Sequence, residues 1–507
     1  MSSFIRSMLT DNETTTENGM KTYTTSEDNC TDFFFACGAL RNQPEERILE
    51  LFWSAFSSDP TIALQILFYS RDIRGGQGER KLFRTVLASL ASKVAERENS
   101  QRVLSFLEAN IHLIPHYGRW DDVLSMLGFD PMLDAFIAGF IKTNLKYGDA
   151  LCAKWMPREK SSKKDIAKKL ASLMGLSAKE YRKLLSSNTK VVENKMCAKE
   201  WADIEFGKVP SQAFLRYKKA FERHQAERFI QFNKDVAHGK EKVNAGTLHP
   251  HQVVESILEG RNVGRTYNYD TGEYEYSDDD MPVKNLVNCN LWSNLKEFYT
   301  TDEQILPIVD VSGSMCQGKP QAIHVSIALG IYLSERNNGP FKDFFITFDD
   351  NPAFVSLSDC ESIIEKVYKT ADAPWGGTTN LEKTFRTILC KAVKQDIPAD
   401  DMPKKIIIFS DMEFNEAVNE RWGAEFNYSA LEMIEREYSN YGYEMPKIIF
   451  WNLASRQSNN PVRFDQEGTA LVSGFSPSIM TSLLGGDDIT PYSIMMKTLE
   501  KYSSIEF

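Results

Sequence analysis

The sequence predicts a multidomain chain, an α-helical, HEAT-like repeat array followed by an α/β doubly wound domain, and three observations predict it. Apolar residues recur at helical spacing from about residue 45 to 147. After about residue 301, short apolar runs alternate with helical stripes. The chain's 507 residues also exceed what one core holds, at roughly 150 residues per domain.

Residues 1–30 are rich in Ser, Thr, Asn and Glu and nearly free of large aliphatic side chains after Leu9. They read as a disordered tail, because too little apolar surface is available to offset the entropy of ordering. Residues 31–300 read as the helical-repeat domain. Leu82, Phe83, Val86, Leu87, Leu90 and Val94 form one i, i+3, i+4 stripe, and shorter stripes run through 48–56 and 103–107. Short helices joined by Gly, Pro and Asn turns suit an irregular stacked array better than a compact bundle. The pattern continues through 163–174, 178–185 and the aromatic, basic stretch 214–232. It breaks at 267–280, which holds four Tyr, six acidic residues and one Gly, and which reads as a solvent-exposed loop. In residues 301–507 the runs 305–309, 344–348, 406–409 and 448–451 predict strands buried on both faces, with a helix at 321–333.

The composition, 42% hydrophobic and 25% charged, belongs to a globular chain, and the apolar runs fall short of the ~20 residues that span a bilayer. The first ten residues lack an apolar signal segment, so the expected location is cytoplasmic, or a virion were the source viral. Eight cysteines without a C-x-x-C pair exclude a zinc ribbon and a disulfide scaffold, and they read as reduced core thiols. The net charge of −11 conceals a polarity. Residues 142–242 carry 24 Lys and Arg against 12 Asp and Glu, an excess of 12 positive charges, whereas the rest of the chain has an excess of 23 negative ones. A segment of that kind suits nucleic-acid phosphates.

Directly after the run 305–309 stand Asp310, Ser312 and Ser314 in a D-x-S-x-S arrangement. One carboxylate and two hydroxyls on a tight loop are hard oxygen ligands of the sort that Mg²⁺ accepts while it retains waters. Gly376, Gly377 and Thr378 precede a helix, and Ser410 and Asp411 follow the run 406–409. A parallel sheet gathers these oxygens at one edge. The plain alternative is that they cap a helix and satisfy turns. The order strand, D-x-S-x-S, helix, G-G-T, strand, S-D resembles the metal-ion-dependent adhesion site of von Willebrand factor A domains, over about residues 301–507. By that resemblance Asp310, Ser312, Ser314, Thr378 and Asp411 hold Mg²⁺ (or Mn²⁺), with Thr379 the alternative to its neighbour. The resemblance also implies that an acidic protein ligand completes the metal shell, which is binding and not catalysis.

The stretch from Arg71 through Gly75, Gly76, Gly78 and Arg80, the step Gly118, Arg119, Trp120, Asp121, Asp122, and the step Leu248, His249, Pro250 resemble an uncharacterised family that includes giant-virus members. That family is similar in layout to the Ro autoantigen (TROVE-type) family, in which helical repeats close into a ring with an A domain. The resemblance implies RNA partners: small noncoding RNAs and single-stranded ends of misfolded RNAs. No base-reading residue transfers.

Among single residues, Arg74, Arg80, Lys81 and Arg84 surround the three glycines, where guanidiniums and backbone amides can hold phosphate. The plain alternative is a tight interhelical turn. Phe214, Tyr217 and Phe221 share one helix face and read as core, which leaves Arg216, Lys218, Lys219 and Arg223 as phosphate contacts. His249 and His251 lack Cys or acidic neighbours and read as structural. The glycines lack the Lys-Ser/Thr of a P-loop, and no H-E-x-x-H or Ser-His-Asp arrangement stands out. The expectation is a non-enzymatic RNA-binding scaffold, a ribonucleoprotein component with a metal-binding A domain. The alternatives are an adaptor that takes an acidic partner through the metal, without RNA, and, less favoured, a nuclease built on Asp310, Asp411 and Glu413.

Overall fold

The structure, a computed structural model, describes residues 12–96, 100–259, 265–268, 273–276, 282–298, 303–316, 321–348, 351–373, 379–415, 430–454, 459–483 and 489–507. The chain divides into two compact units. One comprises residues 1–43 and 245–500, the other 44–244 and 501–507. These are not the intervals 31–300 and 301–507 read from sequence.

The second unit is helical. Its helices include Glu45–Ser58, Pro60–Arg71, Lys81–Ala95, Ser100–Asn110, Pro131–Lys146, Lys164–Leu173, Ala178–Asn188, Ser211–His224 and Ala226–Ala237. Their starts are encoded locally. Asp59 accepts the Ile62 N–H at 2.9 Å with Pro60 in the first turn, and Asp130 accepts those of Met132 and Leu133 with Pro131 in the first turn. Such caps satisfy amides that have no partner inside the helix. The expected stripe is buried: Leu82, Phe83, Val86, Leu87, Leu90 and Val94. The stretch 214–232 is not one helix, because it breaks at Gln225 (φ −146°, ψ 46°). Residues 501–507 pack among the first of these helices, where Tyr502 Oη donates to Asp72 Oδ2 at 2.9 Å and Phe507 meets the rings of Phe56 and Phe106.

The first unit is built on a mixed, mostly parallel sheet. A hairpin of β1 (Glu13–Thr15) and β2 (Lys21–Tyr23) and the helix Asn29–Cys37 lie at its start. The disordered tail expected over 1–30 therefore does not hold for residues 12–30. Met20, Thr16, Thr22 and Ser26 are buried, and Tyr23 exchanges backbone hydrogen bonds of 3.0 and 2.9 Å with Asn460. The partners that order the segment are 395 to 438 residues away, so its own composition could not reveal them.

Within the expected loop 267–280, β3 (Arg265–Asn268) pairs antiparallel with β4 (Glu273–Tyr276), so part of it is a ribbon. Residues 269–272 and 277–281 lie outside the described residues.

The main sheet contains β5 (Ile305–Asp310), β6 (Phe344–Phe348), β7 (Phe354–Ser356), β8 (Lys405–Ser410), β9 (Lys447–Asn452) and β10 (Thr469–Ser473), in the order β10-β9-β8-β5-β6-β7. Every pair is parallel except β6 with β7. The four expected strands are present, and the two edge strands were not read from sequence.

Every residue of β5 and β8 is buried, as in a sheet covered by helices on both faces. Leu306, Ile308, Ile406, Ile408, Ile448 and Phe450 meet the helices Leu381–Lys394 and Ala430–Asn440 through Phe385, Ile388, Ile434 and Tyr438. Each such side chain contributes about 1.5–3 kcal/mol on burial. The helix Ala322–Arg336 covers the opposite face, where Gly330 lies against Val309.

Two glycines test this packing. A Cβ on Gly330 would stand 2.4 Å from Val309 Cγ2. Gly330→Ala should therefore lower stability by about 1–2 kcal/mol despite the better helix propensity of Ala, measured by urea unfolding. A Cβ on Gly118 would stand 2.5 Å from Asp122 Oδ2 and 2.8 Å from Arg71 Nε, inside a buried ion pair. Gly118→Ala should cost the helical unit about 3 kcal/mol, and a thermal midpoint equal to wild type would contradict that close approach.

Candidate functional site

β5 and β8 are neighbours in parallel register, Val309 opposite Phe409, so both strands deliver their next polar residues to the same edge. Asp310 is fully buried there and Asp411 is 2% exposed. Asp310 Oδ1 accepts the Ser312 N–H at 2.9 Å, and Oδ2 accepts the Ser410 hydroxyl at 2.6 Å. The loop then turns through Gly313–Cys316, which brings Ser312 Oγ within 2.9 Å of Ser314 Oγ. Burial, and then the negative charge of Asp411, push the Asp310 carboxyl up to about 7, against the pull of the hydrogen bonds from Ser410 and Ser312. Two carboxylates this close in a dry site repel each other. No cationic side chain figures among the principal influences on Asp310. A divalent cation fits this set of carboxylate and hydroxyl oxygens. Among the described residues, no group of three or more His, Cys, Asp or Glu is placed to hold a metal ion. The oxygens of Asp310, Ser312, Ser314 and Asp411 are thus a different kind of set, two carboxylates with two hydroxyls.

Thr378, with Gly376 and Gly377, lies outside the described residues. Thr379 is described, and its hydroxyl donates to the Glu413 carbonyl at 2.5 Å while its N–H donates to Asn415 Oδ1 at 3.0 Å. The Thr379 hydroxyl therefore braces the loop after β8.

That loop has a second brace. Thr16 Oγ1 donates to the Phe414 carbonyl at 2.5 Å, and Asn18 Nδ2 donates to the Glu413 carbonyl at 2.7 Å. Glu413 accepts the Glu17 N–H at 2.7 Å and Asn459 Nδ2 at 3.1 Å, so its carboxylate has a structural use. Met412, next to Asp411, adopts φ 67°, which these braces hold. The sequence pointed to Ser410 but not to its bond to Asp310. The hairpin's part in the loop left no local trace.

In the helical unit the two sets of basic residues differ. The amides of Gly76, Gln77, Gly78 and Glu79 donate to carbonyls of Asp72, Tyr69, Asp72 and Ser70, and the Arg74 N–H donates to Asp72 Oδ1. The glycine loop therefore uses these amides itself and cannot cradle phosphate with them, contrary to the sequence expectation. Arg74 Nη1 donates to the His116 carbonyl at 2.7 Å, Arg84 pairs with Asp121 and Asp122, Lys81 is half-buried, and Arg80 is exposed. On Ser211–His224, Phe214 and Phe221 are buried, whereas Arg216, Lys219 and Arg223 are exposed and Lys218 is half-buried. That division matches the expected faces except at Tyr217, expected in the core, and Lys218, expected on the solvent face, which are both half-buried.

His249 and His251 stack at 5.6 Å beside Arg41, and desolvation together with that charge lowers both, His249 to about 4. They are neutral packing groups at pH 7. No disulfide joins the eight cysteines, but Cys197, Cys316 and Cys390 are exposed, so they are not all core thiols. Among the described residues, no helix is long and apolar enough to cross a membrane.

Comparison with known proteins places these features among relatives. Residues 304–503 match the model of a domain of unknown function, DUF7788, and residues 16–94 and 143–291 match that of a second, DUF2828. A giant-virus relative is present, as expected: uncharacterized protein L728 of Acanthamoeba polyphaga mimivirus is 29% identical over 537 residues, which cover 96% of this chain and 87% of that protein. The crystal structure of the Ro (RSR) protein of Deinococcus radiodurans aligns over 94% of this chain and 99% of that one, with 14% identity and a TM-score of 0.48.

Proposed function

We propose that the protein is a non-enzymatic RNA-binding scaffold whose sheet-bearing unit holds Mg²⁺, or Mn²⁺, and uses it to engage an acidic ligand. The observation that carries this reading is the buried pair Asp310 and Asp411 at the carboxyl edge of adjacent strands, flanked by the hydroxyls of Ser312 and Ser314. These residues, with Thr378, would hold the ion. A bound cation supplies positive charge beside the buried Asp310 carboxylate and offers open positions to a ligand oxygen. The RNA half of the reading is supported by charge. The segment 142–242 has its excess of 12 positive charges, and Arg216, Lys219 and Arg223 face solvent from a helix anchored by Phe214 and Phe221. Phosphate attraction of this kind is long-ranged and tolerant of sequence.

The pH dependence of the cation-free protein follows from Asp310. Its carboxyl titrates near 4 when unfolded and at about 7 when folded, so between those values the native state holds the extra proton. Stability without cation therefore falls as pH rises from about 4 to about 7 and changes no further above. In EDTA, Asp310→Asn should remove that slope and raise the thermal midpoint at pH 8. Titration calorimetry with Mg²⁺ should give heat for wild type and none for Asp310→Asn, and an undiminished affinity in the variant would sink the metal assignment.

Reversing charge at Arg216, Lys218, Lys219 and Arg223 should weaken binding of unrelated RNA sequences alike. It should also flatten the salt dependence by about one unit of slope per lost phosphate contact. Absence of RNA affinity in the intact protein at ~50 mM salt would refute the scaffold reading.

A further inference from the structure

A second buried polar cluster lies wholly in the helical unit. Arg71 Nη2 stands 2.7 Å from Asp122 Oδ2, and Arg84 reaches Asp122 Oδ1 at 2.6 Å and Asp121 Oδ2 at 2.7 Å. Arg119 forks onto Asp121 at 2.9 and 2.8 Å, with its guanidinium 3.8 Å from the centre of the Trp155 ring. Arg80 joins this group without sharing its carboxylates. Among the described residues its side chain has no ion pair or hydrogen bond, and the strongest charged influences on it are Arg119, Arg84 and Arg71, with Asp121 behind them. Four guanidiniums thus surround two carboxylates, an excess of two positive charges.

The local backbone adds to the imbalance. Arg80 occupies the N-cap of Lys81–Ala95, whose first turn has no acidic residue and no side-chain cap, and which carries Lys81 and Arg84 instead. A helix N-terminus bears about half a positive charge, so cations there are repelled. The arrangement is also graded in depth. The Arg71 side chain is 2% exposed, those of Arg119 and Arg84 are 21% and 24%, and Arg80 is exposed at the rim. Asp121 and Asp122 fix the orientation of the inner guanidiniums but leave the outer charge without a counterpart.

We propose that Arg80, Arg84 and Arg119, at the N-terminus of Lys81–Ala95, form a site for a phosphate monoester dianion, the terminal phosphate of an RNA strand. A monoester carries up to two negative charges near neutral pH, which match the excess of the cluster, whereas a backbone diester carries one. Planar guanidiniums bind such a group through paired hydrogen bonds, and the helix end favours it further. The RNA as source of the phosphate rests on the reading proposed above; the anion site itself does not.

The test uses the full chain, inorganic phosphate at matched ionic strength, and one short single-stranded oligoribonucleotide made with a terminal phosphate or a terminal hydroxyl. Phosphate should raise the thermal midpoint of wild type and leave that of Arg80→Gln unchanged. The phosphorylated strand should bind wild type roughly tenfold tighter than the hydroxyl strand, and Arg80→Gln should abolish the difference. Because Arg80 forms no ion pair, the unliganded variant should unfold at the same or a higher temperature than wild type, so loss of binding cannot be ascribed to loss of fold. No stabilisation by phosphate, equal stabilisation of both proteins, or equal affinity for both strands would each overturn the proposal. If neither strand binds while phosphate still stabilises wild type alone, the RNA reading fails and the anion site stands with free phosphate as its ligand.

Discussion

The parallel pairing of β5 with β8 is the constraint on which the sheet-bearing unit is arranged. Both strands are buried along their whole length; Lys405, at the start of β8, is paired with Glu303, and the next polar side chains of either strand are those at the carboxyl edge. With Val309 opposite Phe409, Asp310 and Ser410 come next on the two strands and Asp411 follows one residue later, so both carboxylates reach that edge. Helices on the two faces exclude water from the strands, and the same exclusion raises the Asp310 carboxyl. The hydrophobic core and the unusual acidity of the site are one effect seen at two positions.

The sheet was legible because runs such as those ending in Val309 and Phe409 are apolar without alternation, which only a strand covered on both faces requires. Its edges were not. Phe354–Ser356 is three residues long and half-buried, and Thr469–Ser473 mixes Thr and Ser with three apolar residues. The hairpin Glu13–Tyr23 was hidden for a different reason. Its polar side chains look like those of a disordered segment until Phe414, Asn460 and Glu413 supply partners. At the site, the residue types and their spacing named the carboxylates and hydroxyls. The spacing could not show that Thr379 and Asn18 hold the loop next to them.

The two polar clusters solve the burial of charge in opposite ways. In the helical unit, Asp122 neutralises Arg71 within the chain, so Arg71 can be buried at 2% exposure with its charge intact. At the sheet edge, burial and the charge of Asp411 raise the Asp310 carboxyl, so that proton uptake relieves the repulsion instead. The glycines follow the same division. Gly118 leaves the space that a Cβ would take to the Asp122 and Arg71 side chains, and Gly330 leaves it to an apolar neighbour, Val309.

The assignment of residues 501–507 to the helical unit reaches into the order of synthesis. Helices made early, such as Pro60–Arg71, wait until residues 501–507 are made before Tyr502 can reach Asp72 and Ile505 can accept from Gln65. Residues 1–43 belong with a sheet made much later. A nascent chain therefore holds both units unfinished until residues 469–507 are made, and a chaperone rather than vectorial folding becomes the natural guardian of the exposed apolar surface.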